Sequence, residues 1–188
     1  DPDRGGAVVW HNKVGRGGFL GGVHWGMSAN GDSLFVPIAD TTITGRFTGP
    51  VSPGIHALDP TSGEVRWYTP SVADCDGKSP IPVCDQGMSA AITSTDQLVF
   101  AGSLDGNLNV YDSLSGEILW SFDTFGDFES VSGDTALGGS IESDGPVLYK
   151  GHVLINSGYQ FGARMPGNAL MVFSLPPEAD LARSTRDE

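Results

Sequence analysis

Two cysteines, Cys75 and Cys84, stand nine residues apart in a stretch rich in Pro and Asp, Asp74-Cys75-Asp76-Gly77-Lys78-Ser79-Pro80-Ile81-Pro82-Val83-Cys84. At that spacing they either close a small disulfide loop, as an oxidising compartment permits, or remain two free thiols. No nearby His or second Cys pair completes a zinc set. Asp74, Asp76 and Asp85 fall at positions 1, 3 and 12 of a calcium-loop template, but Ser79 replaces the Gly at position 6 and no helices flank the stretch, so that chemistry is set aside. Gly77-Lys78-Ser79 resembles the end of a phosphate loop, yet Val72 stands where its first Gly is required. Gly26-Met27-Ser28-Ala29-Asn30 and Gly87-Met88-Ser89-Ala90-Ala91 lack the last Gly of a nucleophile elbow. His11, His24, His56 and His152 show no ligand spacing, and strand alternation would point His24 and Trp25 to opposite faces. No Cys-x-x-Cys-His haem site occurs.

The elements that must carry these residues are short strands between turns. The chain has 188 residues, 27 Gly and 12 Pro, with apolar residues at 39%, which disfavours disorder and suits a turn-rich all-β chain. A net charge of −13 excludes a phosphate-backbone reader and a polybasic membrane surface. No apolar run approaches the ~20 residues that span a bilayer. The chain starts at Asp1 and carries no signal peptide, which fits a mature protein or a piece of a longer one.

A repeat sets the architecture. Ile55-His56-Ala57-Leu58-Asp59-Pro60-Thr61-Ser62-Gly63-Glu64-Val65-Arg66-Trp67 recurs 53 residues on as Leu108-Asn109-Val110-Tyr111-Asp112-Ser113-Leu114-Ser115-Gly116-Glu117-Ile118-Leu119-Trp120. Gly26-Met27-Ser28-Ala29 recurs as Gly87-Met88-Ser89-Ala90 and, more loosely, as Gly138-Gly139-Ser140-Ile141. A degenerate copy occupies 167–175, and Ala7-Val8-Val9-Trp10 reads as the last strand of a unit whose start is missing. Asn30-Gly31, Asp105-Gly106 and Asp144-Gly145 suit tight hairpins, and the Asp-x-x-Ser-Gly stretch a longer turn. Trp10, Trp67 and Trp120 share the repeat's Trp position, where a large flat ring can cover the neighbouring unit. Four strands per unit at a period near 50 describe a β-propeller. The length holds about three and a half units, whereas rings close with typically 4–8 blades. The expectation is a partial propeller of three to four blades over 1–177, with a polar tail at 178–188.

The repeated unit resembles the tryptophan-docking motif of quinoprotein dehydrogenase propellers, the eight-bladed enzymes that carry pyrroloquinoline quinone (PQQ). The chain is similar in particular to polyvinyl-alcohol dehydrogenases, through Gly21-Gly22-Val23-His24-Trp25-Gly26, Cys84-Asp85-Gln86-Gly87-Met88-Ser89-Ala90-Ala91-Ile92-Thr93, Val99-Phe100-Ala101-Gly102-Ser103-Leu104-Asp105-Gly106, Phe122-Asp123-Thr124, Asn156-Ser157-Gly158-Tyr159 and Met165-Pro166-Gly167-Asn168. The resemblance implies oxidation of secondary alcohols, small or polymeric, with PQQ and Ca²⁺ in the periplasm. It also implies a c-type cytochrome as electron acceptor and further blades to complete the ring. It places Trp25-Gly26 against one face of the quinone and Asp40 near a calcium-ligating position that is usually Asn. Arg46 either pairs with a quinone carboxylate or is a solvated loop residue.

The loop 41–53, where such enzymes carry a catalytic Asp, has no acid, and there is no adjacent Cys-Cys pair. Either Asp40 serves as the base, the base comes from elsewhere, or the chain is not catalytic. The rival expectation is a non-catalytic propeller of the same repeat type, a protein-binding scaffold without quinone.

Overall fold

A computed structural model describes residues 2–18, 21–41, 47–80, 83–159 and 162–175. After a 3-10 turn at Pro2–Arg4, the described residues form thirteen strands: β1 (Ser28–Ala29), β2 (Leu34–Ile38), β3 (Gly54–Leu58), β4 (Val65–Pro70), β5 (Thr93–Ser94), β6 (Leu98–Gly102), β7 (Asn107–Asp112), β8 (Ile118–Asp123), β9 (Gly126–Glu129), β10 (Thr135–Gly138), β11 (Val147–Tyr149), β12 (His152–Ser157) and β13 (Ala169–Ser174). They form antiparallel meanders ordered β1-β2-β3-β4, β5-β6-β7-β8 and β11-β12-β13, with a separate hairpin β9-β10. The fold is a β-propeller segment, built of sheets whose neighbours in sequence are neighbours in space.

The repeat is visible in the register. Ala57 faces Trp67 and Val110 faces Trp120, and in both pairs the ladder slips one residue later, at Ala57/Leu58 and Val110/Tyr111. Second strands are apolar on both faces because each is sandwiched between sheets: β2 and β6 each bury four consecutive residues after a half-buried Leu. The outermost strands β4 and β8 are mostly exposed. Phe35, Ile55, Ala57, Met88, Ile92, Val99, Ala101 and Tyr111 form the layer between the first two sheets, with Trp67 packed on it. Ala90, Leu108, Ile141 and Ile155 form the next layer, with Val153, Met171 and Phe173 against it.

Between the sheets, Trp10 donates its indole N–H to the Pro60 carbonyl at 2.9 Å, and Trp67 to the Ser113 carbonyl at 3.1 Å. Each ring lies over the turn glycine. Gly63 and Gly116 both have φ 75°, and a Cβ on either would sit 2.5 Å from a ring carbon, so only glycine satisfies both the turn and the seat. Trp120 differs: it stacks on Phe122 and meets Phe173 edge-on.

Several expectations are corrected. Residues 7–10 form no strand, although Trp10 docks. The third sheet has three strands among the described residues, and β9-β10 is inserted before it. Its hairpin turn is Lys150–Gly151, both at positive φ, rather than Asp144-Gly145. Gly145 instead packs on the Ala91 carbonyl, where a Cβ would come within 2.4 Å. The degenerate copy at 167–175 contains β13. The tail at 178–188 lies outside the described residues.

Candidate functional site

The segments leading into the three sheets lie side by side. Ile92 N–H donates to the Gly26 carbonyl at 3.3 Å, and Ala91 N–H to the Ser143 carbonyl at 3.0 Å. An added Cβ on Gly26 would stand 2.9 Å from the Ala91 Cβ, so the absence of a side chain there permits the approach. This stitching brings together residues far apart in sequence: His24 and Trp25, Ser89, and Glu142.

Trp25 carries the strain of the site. Its φ is 61°, a left-handed conformation that a bulky side chain rarely adopts. The positive φ breaks strand alternation, so His24 and Trp25 do not point to opposite faces as the sequence suggests; their ring centroids are 4.7 Å apart. Trp25 is among the groups that favour the ionised form of the Glu142 side chain. The residue is 53% exposed, an aromatic ring packed against His24 on one side and reaching solvent.

From the half-buried His24 a polar chain runs inward to buried Ser89, Glu142 and Arg164. His24 Nδ1 lies 2.6 Å from Ser89 Oγ, and Ser89 Oγ donates to Glu142 Oε1 at 2.9 Å. Arg164 Nε faces Glu142 Oε2 at 4.0 Å, with both side chains almost wholly buried. Burial pushes the Glu142 carboxyl above its ordinary value, opposed by Ser89, Arg164 and Trp25. Burial, then the positive charge of Arg164, lowers the His24 pKa below 6.5, so the imidazole is neutral at pH 7. Arg164 is held by the pinning of its neighbour: Met165 N–H donates to Ser140 Oγ at 3.1 Å and its carbonyl accepts from Ser140 N–H at 3.0 Å.

Asp40 has a different environment. It is fully buried with φ 33°. Its Oδ1 accepts from the backbone N–H groups of Gly17 (3.0 Å) and Gly22 (2.8 Å), and its Oδ2 from those of Arg16 (2.6 Å) and Ser52 (3.1 Å). Burial raises its pKa, but the four donors outweigh that and leave it below the usual range. A carboxylate whose oxygens already accept four N–H bonds offers little to a cation or to a substrate proton. Among the described residues no group of three or more His, Cys, Asp or Glu is arranged to hold a metal. The surroundings of Asp40 therefore do not fit calcium.

Arg46 lies outside the described residues. Cys75 and Cys84 are joined in a disulfide. The loop they close is docked on the second sheet: Asp74 N–H donates to Asp105 Oδ2 at 3.0 Å, and Lys78 reaches the Asp105 carbonyl at 2.8 Å and Asp123 Oδ1 at 3.0 Å.

Sequence reasoning missed Ser89, Glu142 and Arg164. In the sequence Ser89 stands out only as part of an incomplete nucleophile elbow, and Glu142, 53 residues on, lies beyond the Gly138-Gly139-Ser140-Ile141 echo of that segment, so no motif links the two. Arg164 sits in an irregular loop with no such signal.

Residues 1–140 and 51–163 match the PQQ_2 family model, described as outer membrane protein assembly factor BamB. The chain is 32% identical over 185 residues to a polyvinylalcohol dehydrogenase of a Pseudomonas sp, covering 93% of this chain and 28% of that protein. The same identity and coverage relate it to the polyvinylalcohol dehydrogenase of Sphingopyxis sp. (strain 113P3). It is 33% identical over 112 residues to a 1-butanol dehydrogenase (cytochrome c) of Thauera butanivorans, covering 58% of this chain and 15% of that one. The chain thus spans little more than a quarter of the polyvinylalcohol dehydrogenases it matches.

Proposed function

This chain belongs to the PQQ_2 family, and from that premise we propose that it is part of a PQQ-dependent dehydrogenase oxidising secondary alcohol groups, on small molecules or on a polymer. The observation that carries the reading is Trp25: a bulky residue held at positive φ, packed against the His24 ring and half exposed. That is the form of a stacking platform, since fixing the ring in advance removes the entropy cost of ordering it on binding. In this reading Trp25 and Arg46 would hold the quinone, and the lack of a side chain on Gly26 lets Ala91 close up beside Trp25. When bound, the quinone supplies the two-electron oxidation. The chain's own residues orient the ring and keep a neutral His24 beside it. Asp40 anchors the exit of β2 rather than ligating a cation.

The remaining blades of an eight-bladed ring complete the site, and 1–177 forms the propeller part of the chain. A c-type cytochrome takes the electrons, as the name of the Thauera relative, 1-butanol dehydrogenase (cytochrome c), suggests for that protein. The Cys75–Cys84 disulfide supports a periplasmic or secreted location, because such bonds persist under oxidising conditions. Among the described residues no helix is long and apolar enough to cross a membrane.

A second reading is a non-catalytic scaffold. It is favoured by the description of the family model and by the full engagement of Asp40. The two separate in one experiment on the complete polypeptide that carries this chain. PQQ and Ca²⁺ are added, tryptophan fluorescence reports uptake, and dye reduction with secondary alcohols reports turnover. Uptake and turnover that both fall with Trp25→Ala support the enzyme. Neither uptake nor turnover leaves the scaffold.

A further inference from the structure

We propose that His24 is the group that accepts the alcohol's hydroxyl proton, with Ser89 and Glu142 forming a relay behind it. The inference rests on the dehydrogenase reading and supplies the base that the acid-free loop 41–53 lacks.

The direction of the hydrogen bonds follows from the inventory of donors. An ionised carboxylate only accepts, so the Ser89 hydroxyl gives its proton to Glu142 Oε1. Ser89 Oγ is then the acceptor at 2.6 Å from His24 Nδ1, and Nδ1 must carry the imidazole proton. The lone pair falls on Nε2, at the far corner of the ring from Ser89, and Nε2 has no hydrogen-bond partner among the described residues. The ring is packed against Trp25, the platform on which the oxidant is proposed to lie. The charged groups facing His24 are Glu142, through Ser89, and Arg164.

The step balances as follows. The O–H bond of the alcohol breaks and its proton bonds to Nε2. The Nδ1 proton passes to Ser89 Oγ, and the Ser89 proton passes to Glu142 Oε1. His24 and Ser89 end neutral, and Glu142 changes from carboxylate to carboxylic acid beside Arg164. The carbon-bound hydrogen and its electron pair would be taken up by a bound quinone, the two-electron oxidant of the proposed function. Burial of Glu142 makes the neutral acid accessible, while Arg164 favours its return to the ionised form. Ser89 and Glu142 act through His24 and are positioning residues.

The test begins without quinone or substrate. The complete polypeptide is labelled with ¹⁵N-histidine and the tautomer of His24 is read by NMR. The relay requires the Nδ1–H form. Glu142→Gln reverses the chain, because an amide can donate to Ser89, and His24 should switch to the Nε2–H form. Ser89→Ala removes the acceptor and should release Nδ1 in the same way. An Nε2–H tautomer in the wild type, or one unmoved by both substitutions, overturns the relay.

Kinetics supply the second arm. Turnover in the wild type should fall as pH drops through the His24 pKa, below 6.5. His24→Gln should lose about 100-fold or more in kcat while fluorescence still reports quinone uptake. Wild-type turnover with His24→Gln equally active overturns the proposal and leaves the dehydrogenase reading standing. Absence of quinone uptake in the wild type overturns that reading and the relay's role with it.

Discussion

Replacing Asp40 by Asn tests whether this carboxylate is an anchor or a ligand. The side chain keeps its size and loses one acceptor oxygen. Each oxygen of Asp40 serves two backbone N–H groups, Gly17 and Gly22 on one and Arg16 and Ser52 on the other. In Asp40→Asn the new NH₂ group faces two donors that it cannot satisfy. At about 1–3 kcal/mol for each buried donor left without an acceptor, the loss is about 2–6 kcal/mol. For a chain of this size each kcal/mol moves Tm by about 2–4 °C, so the midpoint should fall by about 10 °C in a near-ultraviolet circular dichroism melt. The gap between wild type and variant should be the same in calcium and in a chelator. A ligand would behave otherwise: calcium would raise the wild-type midpoint and leave the variant unmoved. A gap under about 2 °C, or one that vanishes in chelator, would refute the four-donor seat.

Other substitutions probe the elements around the site. Gly116→Ala strains a residue at φ 75° and drives a methyl to 2.5 Å from the Trp67 ring, so it should cost about 1–3 kcal/mol in urea unfolding and red-shift the tryptophan emission; an unchanged midpoint would contradict the docking geometry. Cys75→Ser with Cys84→Ser removes a cross-link over nine residues, worth about 2.5 kcal/mol of chain entropy, and proteolysis should then cut between them; resistance equal to wild type would show that the docked Lys78 holds the loop without the bond. Acid should destabilise in two stages. His24 and His56 have pKa values lowered by burial, so the unfolded chain protonates first, and stability complete above 6.5 falls as pH drops below it. Asp40, also lowered, adds a stabilisation complete above 3.8 and lost as pH falls through its folded value. Urea midpoints that rise between pH 7 and pH 5 would contradict this.

How far these features could be read from sequence depends on how local their causes are. The 53-residue step marks the Asp-x-x-Ser-Gly-Glu turns because one turn's chemistry is held in a few contiguous residues. The second strands show as apolar runs because burial on both faces leaves no alternation to hide them. The turn before β12 was misread because Lys150 takes a positive φ that the pair Asp144-Gly145 advertises more strongly. His24 was placed away from Trp25 by an alternation rule that one left-handed residue cancels. Asp40 looked like a ligand because its type suits a cation, whereas its fate is set by N–H groups of residues 12 to 24 positions away. Glu142 and Arg164 meet the site only through packing of successive sheets, which a scan for local motifs does not see.

The central claim is that Trp25 is the platform of a quinone site. It is tested most directly by titrating PQQ into the complete polypeptide while following tryptophan emission, in wild type, Trp25→Ala and Trp67→Phe. Saturable quenching that persists in Trp67→Phe and is lost in Trp25→Ala is the predicted result. Quenching that survives in Trp25→Ala, or no quenching in any of the three, would contradict it.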